Sequence, residues 1–133
     1  MVKQLSIFLE NKSGSLAKVT EILARENINI MVFSVSDATE YGILRMVVSN
    51  PDNAYSILKS KNYSVLTSEV VAVKLVDGTG ELFKVLDVIA ETQTGIDYIY
   101  SFAASTNKSV VIIHSNDNAD LNKILSDKGF DLY

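Results

Sequence analysis

The sequence of 133 residues contains no cysteine and no tryptophan, and it has only one proline and one histidine. Without cysteine the chain cannot form a disulfide, a thiolate metal site or a catalytic thiol. The single histidine, His114, excludes a metal site built from several imidazole ligands. No apolar run approaches the roughly 20 residues that a membrane-spanning helix needs, and the N-terminus lacks a signal-peptide core. We therefore expect a cytoplasmic protein that uses no metal or other cofactor.

Positive charge is also scarce in this chain. The sequence has 12 lysines and arginines against 16 aspartates and glutamates, which gives a formal net charge of −4. Nucleic acids and anionic membranes attract proteins through a basic face, so we expect neither as a partner. Apolar residues are abundant by contrast: 47% of the residues are hydrophobic and 21% are charged, as in ordinary globular domains.

An internal duplication organises the sequence. The segment LENKSGSLAKVTEILA, residues 9–24, aligns at a shift of 66 positions with LVDGTGELFKVLDVIA, residues 75–90. Six of these 16 positions are identical: Leu9/Leu75, Gly14/Gly80, Leu16/Leu82, Lys18/Lys84, Val19/Val85 and Ala24/Ala90. Weaker matches continue in the same order as far as residues 57–61 and 124–128, at shifts between 66 and 68. Because order and spacing are both kept, we interpret the chain as two domains, residues 1–67 and 68–133.

Each copy is predicted to run strand, helix, strand, strand, helix, strand. In the first copy, apolar alternation around Ile7 predicts a strand, and helical spacing of apolar residues predicts a helix that ends at Arg25. Strands are predicted over residues 28–35, 43–48 and 63–67, with a turn over residues 37–42 and a helix that starts at Asn50-Pro51-Asp52. The last strand leads almost directly into residues 70–75 of the second copy. This order indicates the α+β ferredoxin-like fold, an antiparallel four-stranded sheet with two helices on one face.

Several predicted strands are apolar at nearly every position, which predicts that both faces of the sheet are covered. The helices cover one face. We expect the other face, carrying residues such as Phe8 or Phe33, to pack on the sister copy or on another chain, because an exposed apolar face favours association. Tyr98, Tyr100 and Phe102 form a stripe at strand spacing that we assign to core or interface.

The turn after the first strand is the candidate binding site. It comprises Asn11, Lys12, Ser13, Gly14, Ser15 and Leu16. Gly14 allows a close backbone approach, and the helix N-terminus that follows offers free N–H groups and a positive dipole end to a carboxylate. The Asn11 amide can donate and accept, and Asn29 at the start of the next strand is predicted to lie beside the same turn. The alternative interpretation is that Gly14 only makes a turn and Asn11 only caps it, with no ligand bound.

These residues resemble the ACT domain. Glu10-Asn11-Lys12-Ser13-Gly14-Ser15-Leu16-Ala17-Lys18-Val19 matches the first part of the family pattern, and Asn27-Ile28-Asn29-Ile30 matches the second. Many ACT domains have proline before the glycine, where this chain has Ser13. Both copies carry the resemblance, and the first carries it more strongly.

The resemblance implies tandem βαββαβ units that bind amino acids at the strand–helix turn, against a neighbouring unit, and regulate another protein. Asn11, Gly14 and Asn29 match ligand-contacting positions of serine-binding members, and Ser13 to Leu16 match the carboxylate-binding turn. Leu9 replaces a histidine found in some of those members, which argues against serine. In the second copy the corresponding residues are Asp77, Gly80 and Asp97. The two carboxylates would repel a ligand carboxylate, so we expect a degenerate or differently selective site. The alternative is that Asp77 caps a turn and Asp97 faces solvent.

We therefore expect a non-catalytic, allosteric regulatory protein that binds an amino acid or similar small ligand and forms a homodimer. The first alternative is an interaction module that binds an enzyme of amino-acid metabolism without a ligand. The second is a ferredoxin-like hydrolase of the acylphosphatase kind, which needs a positioned arginine that the glycine turn lacks. An RNA-recognition module shares the element order, but the third strands carry no aromatic residue for base stacking. His114, at the end of an apolar strand, is expected to have no chemical role.

Overall fold

The structure, a computed structural model, describes residues 1–37 and 40–133, and for Asp37 the backbone alone. The described residues form four helices and seven strands, in the order β1 (Val2–Glu10), α1 (Ser15–Arg25), β2 (Ile30–Asp37), β3 (Tyr41–Val48), α2 (Pro51–Ser60), β4 (Ser64–Val76), α3 (Glu81–Ala90), β5 (Ile96–Ser105), β6 (Lys108–Ser115), α4 (Asn118–Asp127) and β7 (Asp131–Leu132). This order confirms the predicted pair of βαββαβ units of the α+β class. None of these helices has both the length and the apolar character to cross a membrane.

The predicted turn over residues 37–42 is shorter than expected. Asp37 is the last residue of β2, and Tyr41 and Gly42 already belong to β3. Ala38 and Thr39, in the middle of the prediction, lie outside the described residues. Strand β3 is therefore two residues longer than the apolar pattern indicates, and β2 ends two residues later than predicted.

Contacts within the chain separate it into two compact units. We call Lys3–Ser68 the first unit, and Met1–Val2 with Glu69–Tyr133 the second unit. The boundary falls inside β4, which is continuous over 13 residues where the sequence predicts two strands and a short joint. The segment contains neither glycine nor proline and is rich in β-branched residues, so nothing in it interrupts the strand.

The first unit has the strand order β2-β3-β1-β4, with β3 antiparallel to both β1 and β2. Helices α1 and α2 bury their apolar stripes on one face of this sheet. The core they form with the strands consists of Leu5, Ile7, Leu9, Val19, Leu23, Ile28, Leu44, Met46, Val48, Ala54, Leu58 and Val65. This packing fixes the end of β1 and the start of α1, which frame the candidate turn.

The register places Phe33 on the helix-facing side of the sheet, and the prediction for this residue is wrong. Phe33 lies directly opposite Met46, a member of the helix-facing core, and directly opposed residues share a face. Phe8 lies opposite Ile43 and next to the buried Ile7, so it is on the other face as predicted. A β-bulge between residues 30 and 32 shifts the register of β2, and alternation in an almost wholly apolar strand cannot reveal such a shift.

The second unit has the strand order β7-β4-β6-β5. Its helix-facing core consists of Val71, Val73, Leu75, Val85, Ile89, Val111, Ile113, Leu121 and Leu125. A second cluster, on the opposite face, consists of Val70, Ala72, Val110 and Ile112. Tyr100 and Phe102, two residues of the predicted aromatic stripe, are half-buried and pack against this second cluster.

Three helices end in the same left-handed turn. Asn27, Asn62 and Gly129 have φ of 59°, 67° and 85°, and each follows the last turn of a helix. At the end of α1, the Asn27 N–H donates to the Ala24 carbonyl and the Ile28 N–H to the Leu23 carbonyl, the two bonds of a Schellman motif. The turn at residues 26–27 is followed by two residues outside any strand, so β2 begins at Ile30 and not at the predicted residue 28.

Candidate functional site

The turn between β1 and α1 leaves the helix N-terminus without a side-chain cap. Gly14 is the N-cap residue, with φ of 85° and ψ of −6° in the left-handed region, and no side chain caps the helix there. Its carbonyl accepts the Lys18 N–H at 3.0 Å, which starts the helix. The Asn11 N–H donates to the Glu40 carbonyl at 3.4 Å. The uncapped first turn therefore presents backbone donors and the positive end of the helix dipole.

A cleft of about 470 Å³ opens at this turn, and we call it the Gly14 cleft. It lies where the N-terminus of α1, the C-terminus of α2 and the start of β4 come together. Its lining residues are Phe8, Leu9, Glu10, Lys12, Ser13, Gly14, Ser15, Lys18, Tyr41, Lys61, Asn62, Tyr63 and Ser64. The volume falls within the range of about 300–1,000 Å³ that is typical of small-molecule sites.

One ion pair lies at the rim of the Gly14 cleft. The Lys12 Nζ is 2.9 Å from the Glu10 Oε2, and both side chains are well exposed. The hydrogen bond from Lys12, together with its charge, lowers the pKa of the Glu10 carboxyl. Glu10 raises the pKa of Lys12 by the same two interactions. Glu10 is thus held as a carboxylate that already has a cationic partner.

The structure brings four of the predicted first-copy residues into the Gly14 cleft, namely Lys12, Ser13, Gly14 and Ser15. Asn11, Leu16 and Asn29 are not among the described residues that line it. Leu16 contributes to a separate apolar pocket of about 120 Å³, with Thr20, Ile30, Phe33 and Leu44. The Asn29 N–H donates to the Ser49 hydroxyl at 3.0 Å, and its carbonyl accepts the Ser49 N–H at 2.9 Å.

The second unit repeats the turn with different side chains. Gly80 is the N-cap of α3, with φ of 88° and no side-chain cap. The Asp77 N–H donates to the Asn107 carbonyl at 2.9 Å. Within the first turn of α3, Lys84 donates to Glu81 at 2.7 Å. The second unit therefore keeps the left-handed glycine at the N-cap, and Glu81 adds an acidic residue at the start of the helix.

Asp97, the other predicted second-copy residue, contacts His114. The Asp97 Oδ2 lies 2.9 Å from the His114 Nδ1, and the imidazole stacks on the Tyr98 ring with centroids 4.9 Å apart. Tyr98 on β5 and His114 on β6 are directly opposed, which explains why their rings stack. Among the residues that the structure describes, no group of three histidine, aspartate or glutamate side chains is placed to hold a metal ion.

The family described as ACT domain pair matches residues 1–129. The chain belongs to the ACT domain pair family. A crystal structure of protein BT0572 from Bacteroides thetaiotaomicron is 42% identical and has a TM-score of 0.93, with 99% of this chain and 91% of that chain covered.

Two regulatory subunits of aspartate kinase share the fold with this ACT domain pair. That of Thermus thermophilus, in its ligand-free form, is 18% identical with a TM-score of 0.69, over 96% of this chain and 92% of that chain. That of Thermus flavus is also 18% identical with a TM-score of 0.65, over 94% and 90% of the two chains. At this identity the likeness shows the fold alone. A comparison with curated proteins gave no match.

The arginines of this ACT domain pair lie outside the Gly14 cleft. Arg25 pairs with Glu21 at 2.7 Å on the surface of α1, and Arg45 donates to the Ser36 hydroxyl at 3.0 Å. Neither residue lines the cleft. The hydrolase alternative, which requires an arginine at the glycine turn, therefore gains no support from the geometry.

Several residues that line the cleft of the ACT domain pair were not predicted from the sequence, chiefly Lys18, Lys61, Asn62 and Tyr63. The glycine of the β1–α1 turn is a visible signal in the sequence, and these four residues lie outside that turn. In a βαββαβ unit, however, the end of the second helix lies beside the start of the first. The duplication held a usable clue, since its match between residues 57–61 and 124–128 marks the end of α2 as a repeated feature.

Proposed function

We propose that this protein is a non-catalytic regulator that binds an amino acid or a similar small ligand in the Gly14 cleft. The observation that carries the proposal is the cleft itself, which opens onto an uncapped helix N-terminus at the turn where the ACT resemblance implies a ligand. A ligand carboxylate would accept hydrogen bonds from the first-turn N–H groups of Leu16 and Ala17, because the Ser15 N–H already donates to the Lys12 carbonyl at 3.3 Å. Asn11 and Asn29 are proposed as accessory contacts.

The ammonium group of the ligand requires acceptors, and the cleft provides them. The hydroxyl groups of Ser13, Ser15 and Ser64 line the same space, and the Glu10 carboxylate can accept from the ligand as well as from Lys12. The aromatic faces of Phe8 and Tyr41 offer apolar contact. This combination of a few polar groups with apolar walls is typical of a small-molecule site.

We propose that the second unit is degenerate or differently selective as a binding site. Glu81 adds a negative charge in the first turn of α3, beside the donors that a carboxylate would use. Asp77 and Asp97 replace the two asparagines of the first unit, and Asp97 is engaged with His114. These three carboxylates disfavour an anionic group at Gly80.

We propose a homodimer, and an enzyme of amino-acid metabolism as the regulated partner. The exposed apolar side chains of β2 support self-association, because Met31, Phe33 and Val35 are 49%, 57% and 50% exposed on a strand at the edge of the first unit's sheet. The same surface favours the alternative of an interaction module without a ligand. The cytoplasmic location remains a prediction.

A thermal-shift screen of the twenty amino acids, repeated on Gly14→Asp, tests the proposal. We expect at least one amino acid to raise the Tm of the wild type, because a ligand that binds only the folded state stabilises it. Gly14→Asp should abolish that shift, because its carboxylate would stand at the donors that the ligand uses. Gly129→Asp is the matched control, since Gly129 has the same left-handed φ of 85° at the end of α4. A screen without any shift, or an unchanged response of Gly14→Asp, would contradict the proposal.

A further inference from the structure

The Gly14 cleft carries an excess of positive charge in an acidic protein. Three lysines and one glutamate line it, namely Lys12, Lys18, Lys61 and Glu10, whereas the chain as a whole has a net charge of −4. The glutamate is used by Lys12 at 2.9 Å. The charges of Lys18 and Lys61 are therefore left facing the cleft.

Neither Lys18 nor Lys61 makes an ion pair within 4.0 Å among the described residues. A second pocket, of about 330 Å³, shares both lysines and also contains Glu21, Ile22, Arg25 and Glu26. Glu21 is engaged with Arg25 at 2.7 Å. Glu26, which also lines this pocket, makes no ion pair with either lysine within 4.0 Å, so both ammonium groups are without a carboxylate partner among the described residues.

The duplication provides an internal comparison for both lysines. Lys84, the counterpart of Lys18, pairs with Glu81 at 2.7 Å, and the first unit has Ser15 at the position of Glu81. Lys128, the counterpart of Lys61, lies 4.0 Å from Glu91, and the first unit has Arg25 at the position of Glu91.

The second unit thus supplies an internal carboxylate for each lysine, and the first unit has exchanged both carboxylates for other residues. An external anion can bind the lysines of the first unit in the place that an internal carboxylate occupies in the second unit. Charge-assisted hydrogen bonds to ammonium groups are among the stronger polar contacts that a ligand can make.

We propose that the ligand of the Gly14 cleft is an amino dicarboxylic acid, and that Lys18 and Lys61 bind its second carboxylate. The inference rests on the proposed function, because the first carboxylate and the ammonium group use the Gly14 turn as described above. A neutral side chain would leave both ammonium groups without a partner, so the cleft discriminates by charge as well as by shape.

Titration calorimetry with L-aspartate and L-glutamate against L-asparagine and L-glutamine tests the inference. Each amide has nearly the shape of its acid, so the ratio of the two Kd values isolates the charge. We expect the better acid to bind at least about tenfold more tightly than its amide, and added salt to reduce that ratio.

Lys61→Met and Lys18→Met should each reduce the acid-to-amide ratio about threefold to tenfold, the moderate effect of an exposed charge. Arg25→Glu should also reduce it, because it restores beside Lys61 the carboxylate that the second unit has as Glu91. Lys84→Met and Lys128→Met are the matched controls and should leave the ratio unchanged, since these lysines already have internal partners.

The outcomes separate this inference from the proposed function. A neutral amino acid that binds as tightly as the acids, with a response that Gly14→Asp abolishes, overturns the inference and leaves the proposed function standing. Inorganic phosphate that binds as tightly as aspartate also overturns it, because the lysines would then recognise charge without the amino-acid frame. Absence of binding by every probe overturns both.

Discussion

The Glu10–Lys12 pair shows what one charge contact at the rim of the cleft does. Its two atoms are 2.9 Å apart, and the contact lowers the pKa of Glu10 while it raises that of Lys12. Both side chains are well exposed to solvent, so the pair adds little to the free energy of unfolding. Its effect is local, because the Lys12 ammonium favours the ionised form of the Glu10 carboxyl and so lowers its pKa.

Lys12→Met should raise the pKa of Glu10 back towards the ordinary value of a glutamate. A carboxyl whose pKa is lower in the folded state adds stability above its unfolded pKa, and this is lost as pH falls through the folded pKa. The wild type should therefore lose slightly more stability than Lys12→Met upon acidification. Carbon NMR of the Glu10 carboxyl during a pH titration measures the shift directly.

Lys123→Met is the control for this titration. Lys123 makes an equally exposed pair with Asp127, at 2.8 Å on α4, and should not change the pKa of Glu10. A Glu10 pKa that stays low in Lys12→Met would show that another group, and not the Lys12 ammonium, stabilises the carboxylate.

At the residue scale, four of the 13 residues that line the Gly14 cleft were predicted from the sequence. Gly14 was recognisable because a glycine between a strand pattern and a helix pattern marks a turn. Lys61 and Tyr63 were not, because they lie some 50 residues away in the sequence and reach the turn only through the folded topology. Phe33 was assigned to the wrong face, since an apolar strand gives no alternation from which to read its register.

At the scale of elements, the helices that start with a side-chain cap differ from those that start at glycine. The Asn50 Oδ1 accepts the Asn53 N–H at 3.2 Å at the start of α2, and the Asp117 Oδ1 accepts the Asp120 N–H at 3.0 Å at the start of α4. The capped start of α2 was predicted from sequence and is confirmed. Among the described helices, α1 and α3 start at glycine and have no side-chain cap.

Asp117→Ala should lower the free energy of unfolding by about 1 kcal/mol, because α4 loses the side-chain acceptor at its first turn. Asp117→Asn should be nearly neutral, since its amide oxygen can accept the same N–H. Urea unfolding followed by circular dichroism measures both variants. Equal losses in the two variants would indicate that the charge of Asp117, and not the capping hydrogen bond, is what stabilises the helix.

The boundaries of elements were predicted less well than their order, for local reasons. The end of α1 at Arg25 followed from its apolar spacing and is confirmed. Because of the Schellman turn at Asn27, β2 starts at Ile30, two residues later than predicted. An asparagine signals such a turn less clearly than a glycine. β4 was predicted as two strands because the duplication suggested a joint that the backbone does not require.

For the whole molecule, the duplication made the architecture predictable. One copy of these weak helix and strand patterns would leave the assignment of elements ambiguous. Two copies at a nearly constant spacing predict the same order of elements and so support each other. The strand order and the family match confirm the predicted pair of βαββαβ units. The ligand and the assembly depend on side chains at surfaces, and those follow from neither the period nor the composition.

The last prediction concerns the assembly of the whole chain. We expect the wild type to sediment as a dimer at micromolar concentration, because β2 offers a row of exposed apolar side chains at a sheet edge and no charged residue between Ile30 and Ser36 to protect it. Phe33→Lys with Val35→Lys should give a monomer, since lysines on an edge strand disfavour strand pairing.

Leu66→Lys is the control for sedimentation, because Leu66 is 60% exposed on β4 and lies outside the β2 edge. If ligand binding and assembly are linked, an amino acid that stabilises the wild type should also lower its dimer dissociation constant, and the lysine double variant should bind that amino acid more weakly. A wild type that sediments as a monomer with and without the amino acid would rule out β2 as a dimer interface. Ligand affinity that is equal in dimer and monomer would confine the binding site to a single chain.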